Sequence, residues 1–137
     1  MAEHVERAVR VLVVDDEESV RTFVERALRE AGYDTTCASG GPEALRIAEH
    51  EGPFDLLLAD VLMPEMRGVE LVRRMRQLDP SLCVLYLTGH SDVIFSDRTT
   101  RWEHEHDALL DKPTTSHRLL QAVAMVLAGR ASDAPRG

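Results

Sequence analysis

Residues 56–68 read LLLADVLMPEMRG. The first four, Leu56 to Ala59, are apolar without alternation. An extended segment of that kind is buried on both faces, as in a parallel sheet covered from above and below. It ends on a carboxylate, Asp60, and the helix-like pattern resumes at Val69. A buried strand that stops at an acid is the unit around which the rest of the chain can be placed.

Upstream, Arg10 to Val14 (RVLVV) is a strand of the same type and is followed by Asp15 and Asp16. From Glu18 to Ala31, the residues Val20, Phe23, Val24, Ala27, Leu28 and Ala31 fall on one helical face, and Gly32 stops the helix. Tyr33 to Ala38 (YDTTCA) reads as a second strand. Pro42 to His50 reads as a helix with proline at its first position, where a missing N–H costs nothing. Downstream, Val69 to Leu78 is a helix through Val69, Val72, Met75 and Leu78, and Leu82 to Leu87 (LCVLYL) is a fourth strand. Asp92 to Trp102 is a weak helix candidate. Ala108 to Leu110 is a short fifth strand, and Thr114 to Ala128 is the last helix, with Leu119, Leu120, Val123, Val126 and Leu127 inward.

Five apolar strands alternating with five helices predict an α/β fold: a doubly wound, five-stranded parallel sheet with helices on both faces. The 137 residues suit a single domain, expected over residues 9–128, with 1–8 and 129–137 as flexible termini. The net charge of −8 argues against a nucleic-acid surface that works by bulk positive charge. The longest nearly apolar stretch, Leu119 to Ala128, is broken by Gln121 and is too short for a bilayer. The start, MAEHVERAVR, has no apolar signal core, so a cytoplasmic location is expected. Cys37 and Cys83 sit in strand-like runs without metal-ligand spacing and read as reduced, structural thiols. The basic residues are 15 Arg and one Lys, Lys112. A single lysine can be chance; it also offers a compact point charge where arginine offers a wide fork.

Right-handed crossovers place the C-terminal ends of parallel strands along one edge, where such sheets form their sites. Strand one is followed by Asp15 and Asp16, strand three by Asp60, strand four by Thr88 and strand five by Lys112. In the order 2-1-3-4-5 those strands are neighbours. Each residue alone has a plain structural reading: acids before a helix favour its dipole, and an aspartate after a strand forms turns. Their conjunction is more specific. Three close carboxylates repel one another, and a hard divalent cation such as Mg²⁺ relieves this while keeping waters that phosphoryl oxygens can replace. A carboxylate can be a nucleophile and form an aspartyl phosphate. Charge on the phosphoryl oxygens could then be met by Mg²⁺, by Lys112 and by the Thr88 hydroxyl. No water-activating base is evident, so rapid turnover is not expected.

The arrangement resembles the receiver domain of two-component response regulators. The residues that carry the resemblance are the acidic pair in VLVVDDE, the segment DVLMPEMRG from Asp60 to Gly68, Thr88 within LTG, and Lys112-Pro113 within DKP. It covers about residues 9–128 and implies the flavodoxin-like strand order 2-1-3-4-5. It implies Asp60 as phosphoacceptor, with Lys112 and Thr88 holding the phosphoryl group. It further implies Mg²⁺, with Mn²⁺ able to substitute, on Asp16, Asp60 and the backbone carbonyl of Leu62, and Asp15 acting mainly through water. The implied partners are a histidine kinase or phosphotransfer protein and a downstream protein target, with no nucleic acid and no membrane. The chain would be a monomer or weak homodimer that catalyses at most its own phosphorylation and slow dephosphorylation. The family usually has a cis Lys-Pro bond, expected here at Pro113.

The pattern departs from the family in three places. Leu109 stands where an aromatic residue is usual, Glu105 and His106 replace a Gly-Ala pair, and residues 91–107 are poor helix material. His104 and His106 with their flanking glutamates read as a solvated loop rather than a metal site, and Trp102 as an anchor for that loop. His90 lies near the expected pocket mouth, as an exposed turn residue or a modulator of water access. Arg73, Arg74 and Arg76 read as a solvated basic face or a docking surface. After Ala128 only nine residues remain, so a stand-alone receiver without an attached effector is expected. The alternatives are a phosphorylation-independent interaction module and a Mg²⁺-dependent phosphatase with an aspartate nucleophile. The latter usually wants a DxD spacing that the adjacent pair here lacks.

Overall fold

A computed structural model describes residues 8–89 and 108–132. Strands β1 (Arg10–Val14), β2 (Asp34–Ala38), β3 (Leu56–Ala59), β4 (Cys83–Thr88) and β5 (Ala108–Asp111) form one sheet. All pairs are parallel, in the order β2-β1-β3-β4-β5. Four helices lie among the described residues: α1 (Glu18–Glu30), α2 (Gly41–Glu51), α3 (Gly68–Leu78) and α4 (Ser116–Ser132). The helix candidate over 92–102 lies outside the described residues, as do His90, Trp102, His104, Glu105 and His106.

Strand periodicity divides the core in two. Leu12, Val14, Leu57, Ala59, Val84 and Tyr86 pack on one face with Leu71, Val72 and Met75 of α3 and Ala44 of α2. Val11, Val13, Leu56, Leu58, Leu85 and Leu87 pack on the other with Val24 and Leu28 of α1 and Leu119 and Val123 of α4. That double burial is why the three central strands, β1, β3 and β4, are apolar without alternation, whereas the edge strands β2 and β5 carry polar residues.

Local signals fix most boundaries. At the end of α1, Gly32 takes φ +96° and donates to Arg29 O, while Tyr33 donates to Leu28 O, the two bonds of a Schellman cap. Tyr33 is thereby part of the cap, and β2 starts at Asp34 rather than at Tyr33. The last helix continues through Ser132, four residues beyond the Ala128 end expected, because a lone Gly129 weakens a helix without ending it. Three inward assignments are corrected. Phe23 is 37% exposed, at the margin of the face formed by Val24, Ala27 and Leu28, and Leu78, the terminal residue of α3, is 56% exposed. Ala31 is the exposed C-cap of α1.

Arg76 is also not part of a solvated basic face. It is buried, and its Nε and Nη2 donate to Leu82 O at 3.3 and 2.8 Å. At the opposite end of the sheet from the acids, Arg10 Nη1 donates to Glu51 O and Pro53 O, both at 2.7 Å, with its guanidinium 4.4 Å over the Phe54 ring. At the start of α2, Gly41 faces Met66 so closely that a Cβ there would meet Met66 Sδ at 2.6 Å.

Candidate functional site

The ladder continues one residue beyond the strands on the side where the acids lie. Asp15 N donates to Ala38 O at 3.2 Å, Asp60 N to Val14 O at 3.0 Å, and Lys112 N to Thr88 O at 2.8 Å. These bonds set Asp15, Asp60 and Lys112 at one level of adjacent strand ends, the position where sheets of this topology bind ligands. Thr88 closes β4 opposite Asp111 of β5 and is fully buried.

Carboxylate oxygens of Asp15, Asp16 and Asp60 all lie within 4.8 Å of one another; Asp15 and Asp60 are buried and Asp16 is exposed. Lys112 Nζ stands 2.7 Å from Asp15 Oδ2 and 3.3 Å from Asp60 Oδ2. It also stands 3.6 Å from Glu17 Oε1, a contact that reading strand ends did not anticipate. Asp15 is tied further: its Oδ1 accepts from Glu17 N at 2.9 Å, and its carbonyl accepts from Arg21 Nη1 at 2.6 Å.

The electrostatics follow from this crowding. Burial pushes the Asp60 carboxyl above the ordinary aspartate range; nearby Asp15 adds to the rise, and Lys112 only partly opposes it. For Lys112, burial acts to lower the pKa, yet Asp15 and Asp60 together hold the ammonium above the ordinary lysine value. One ammonium thus faces more negative charge than it can balance. Asp15 Oδ2 is buried, and the Lys112 ammonium 2.7 Å away, which it shares with Asp60, is the partner it has there. Three carboxylates within 4.8 Å that share one ammonium, offering oxygen ligands alone, fit a hard divalent cation.

The loop after Asp60 is tightly specified. Leu62 N donates to Asp60 Oδ1 at 3.3 Å, and Leu62 packs its side chain against the core on the α3 side. Glu65 adopts φ +71°, a left-handed conformation uncommon for a side chain of its size. Gly68 N donates to Val61 O at 2.8 Å, and a Cβ at Gly68 would collide with the Asp60 carbonyl oxygen. Only glycine allows α3 to begin that close to the strand end. Leu109 pairs with Tyr86 across β4 and β5 and packs against the same core face. The Lys112-Pro113 bond is cis, as the family resemblance implied.

A family model described as the response regulator receiver domain matches residues 11–124. The chain belongs to this family. Its role is that of a phosphoacceptor in two-component signalling. The receiver is similar to the response regulator receiver protein CpdR of Brucella abortus, 42% identical over 84 residues that cover 61% of this chain and 69% of CpdR. It is similar also to the alkaline phosphatase synthesis transcriptional regulatory protein PhoP of Bacillus subtilis, 36% identical over 118 residues. That match covers 86% of the receiver but 48% of PhoP, so the chain spans about half the length of that regulator. Among solved structures, a CheY-like receiver domain protein from Methanospirillum hungatei superposes with a TM-score of 0.77 at 27% identity, over 93% of the receiver and 99% of that chain. Among the described residues of the receiver, no helix is long and apolar enough to cross a membrane.

Proposed function

We propose that residues 9–128 act as a phosphorylation switch in which Asp60 is the phosphoacceptor. The observation that carries this is the placement of Asp60 Oδ2 against the only lysine of the chain, with Asp15 and Asp16 oxygens in the same cluster. The donor is a phosphohistidine on a histidine kinase or phosphotransfer protein. An Asp60 carboxylate oxygen forms a bond to phosphorus as the P–N bond breaks, and the donor's ring, protonated beforehand at its other nitrogen, leaves as neutral imidazole. Lys112 and Thr88 hold the transferred group, the ammonium by charge and the hydroxyl by donation. Asp15, Asp16, Asp60 and the Leu62 carbonyl would hold Mg²⁺, with Mn²⁺ as a substitute. The cation, when bound, neutralises phosphoryl oxygens and offsets repulsion among the acids. Lys112 opposes the rise that burial gives the Asp60 carboxyl, and a cation held beside it would favour the ionised, nucleophilic form further.

The test is incubation of the full chain with acetyl phosphate, read by intact mass. A gain of one phosphoryl group that requires Mg²⁺ or Mn²⁺, and that disappears in Asp60→Asn, is the expected result. Full labelling of Asp60→Asn would reassign the acceptor. No labelling under any condition would favour a phosphorylation-independent interaction module.

A further inference from the structure

Glu17 is the outermost of the carboxylates around Lys112, and neither the fold nor the proposed transfer needs it. It is the N-cap residue of α1, yet its side chain makes no cap hydrogen bond. The side chain turns instead toward Lys112, with Oε1 3.6 Å from Nζ. Its backbone N–H is fixed on Asp15 Oδ1, so the residue cannot drift from the pocket. Whereas the side chains of Asp15 and Asp60 are 2% and 5% exposed, that of Glu17 is 59% exposed. Glu17 and Lys112 line one open groove of about 470 Å³, with Phe23, Leu87 and Pro113 along it. An anion in this groove lies beside both Lys112 and Glu17.

We propose that Glu17 is a charge gate that makes the site discriminate among phosphodonors by their net charge. The inference rests on Asp60 as phosphoacceptor. The only other cation tied to the pocket among the described residues, Arg21, donates to the Asp15 carbonyl and leaves Lys112 as the group that attracts a donor. Glu17 takes part of the field of that ammonium and adds a negative charge at the rim. Over ~8 Å of water-like dielectric, one added charge repels each unit of donor charge by about two-fold in rate, so about five-fold for a dianion. The effect is screened over a Debye length of about 8 Å at physiological salt. A protein donor presenting a neutralised or shielded phosphohistidine escapes most of this penalty, whereas free small phosphodonors do not.

The experiment compares wild type, Glu17→Gln and Glu17→Asp as full chains, with phosphoryl uptake followed by intact mass. The donors are acetyl phosphate, a dianion at neutral pH, and phosphoramidate, a monoanion. Mg²⁺ is saturating for each variant. At low ionic strength Glu17→Gln is expected to accelerate uptake about five-fold from acetyl phosphate and about two-fold from phosphoramidate. Both gains should shrink toward unity at ~0.5 M salt, where the Debye length is only a few ångströms. Glu17→Asp, which keeps the charge, should stay near wild type. Equal gains for both donors, or gains indifferent to salt, would overturn the proposal and leave a steric role for the side chain. Unchanged rates in Glu17→Gln would overturn it too. Absence of uptake in wild type, or uptake by Asp60→Asn, would instead mark failure of the phosphoacceptor reading, and the inference would fall with it.

Discussion

Replacing Gly68 by alanine places a methyl group where the Asp60 carbonyl oxygen already stands, with the Val61 Cα 3.1 Å from the same point. The obstacles are backbone atoms, so rotation of a flexible side chain cannot relieve the overlap. Either the first turn of α3 or the strand end after Ala59 must move. Overpacking of a buried contact costs ~1–3 kcal/mol. The movement also stretches the Gly68 N–H bond to Val61 O, 2.8 Å in the native structure. Losing a bond of this kind adds ~1 kcal/mol, for a total of about 2–4 kcal/mol. In a domain of this size that lowers Tm by about 6–14 °C. Urea denaturation should show a lower midpoint with an unchanged slope. Phosphoryl uptake should fall as well, because the displaced atoms belong to Asp60, the proposed acceptor, and a misplacement of ~1 Å can cost about 100-fold in rate. Gly129→Ala is the control: no atom lies within 4 Å of the added methyl inside α4. It should leave uptake unchanged and stabilise by up to ~1 kcal/mol. If Gly68→Ala loses less than ~0.5 kcal/mol, the range of an ordinary surface change, and labels at the wild-type rate, the steric reasoning is wrong.

Other outcomes follow from the same geometry. Asp16→Asn should weaken Mg²⁺ binding at least ~10-fold, and more than Asp15→Asn does, because Asp15 is already engaged by Lys112 and by the Glu17 N–H; titration with the metal followed by NMR or fluorescence gives the order. Arg76→Ala should cost ~2–3 kcal/mol in denaturant midpoints, since it strands a buried carbonyl at Leu82. Arg74→Ala should cost under ~0.5 kcal/mol, because its pairing with Glu70 is half exposed. The pH dependence in EDTA has two signs. The raised Asp60 pKa means that the folded chain keeps that proton to a higher pH than the unfolded chain, so the ionised group subtracts from stability above the raised value. Asp60→Asn should therefore be more stable than wild type at pH 7, with the difference vanishing as pH falls through the Asp60 titration toward the ordinary aspartate range. Lys112 has its pKa raised, so its stabilisation is complete below the free-lysine value and is lost as pH rises through the folded one; Lys112→Met should remove that alkaline step from a series of melts.

The central strands were legible because burial on both faces demands unbroken apolar runs, and LLLA at 56–59 cannot serve a one-sided sheet. The candidate site was legible for a topological reason: parallel strands end along one edge, so residues far apart in sequence become neighbours once the order is known. Glu17 was not legible by that rule. It follows the acidic pair at a helix start, where a carboxylate is accounted for by the dipole, and only side-chain geometry turns it toward Lys112. Phe23 and Leu78 misled because a periodic pattern marks a stripe without saying how wide the covering layer is. Arg76 carried a readable signal, since it lies four residues after the buried Val72 on the same helical face. Its charge concealed that signal: arginine is read as solvated unless a buried carbonyl is known to await it.

The contact between Gly41 and Met66 bears on how sequences of this fold can drift. The two positions lie on different segments, one in the first turn of α2 and one in the loop after Asp60, and share a space that holds one side chain. A larger residue at 41 becomes tolerable only when 66 has first become smaller, and the reverse substitution opens a void unless 41 fills it. Divergent lineages should therefore change the two together, in a fixed order of steps. A pairwise exchange such as Gly41→Ala with Met66→Gly, which clears the Sδ, Cγ and Cβ overlaps together, should be accepted where Gly41→Ala alone is selected against.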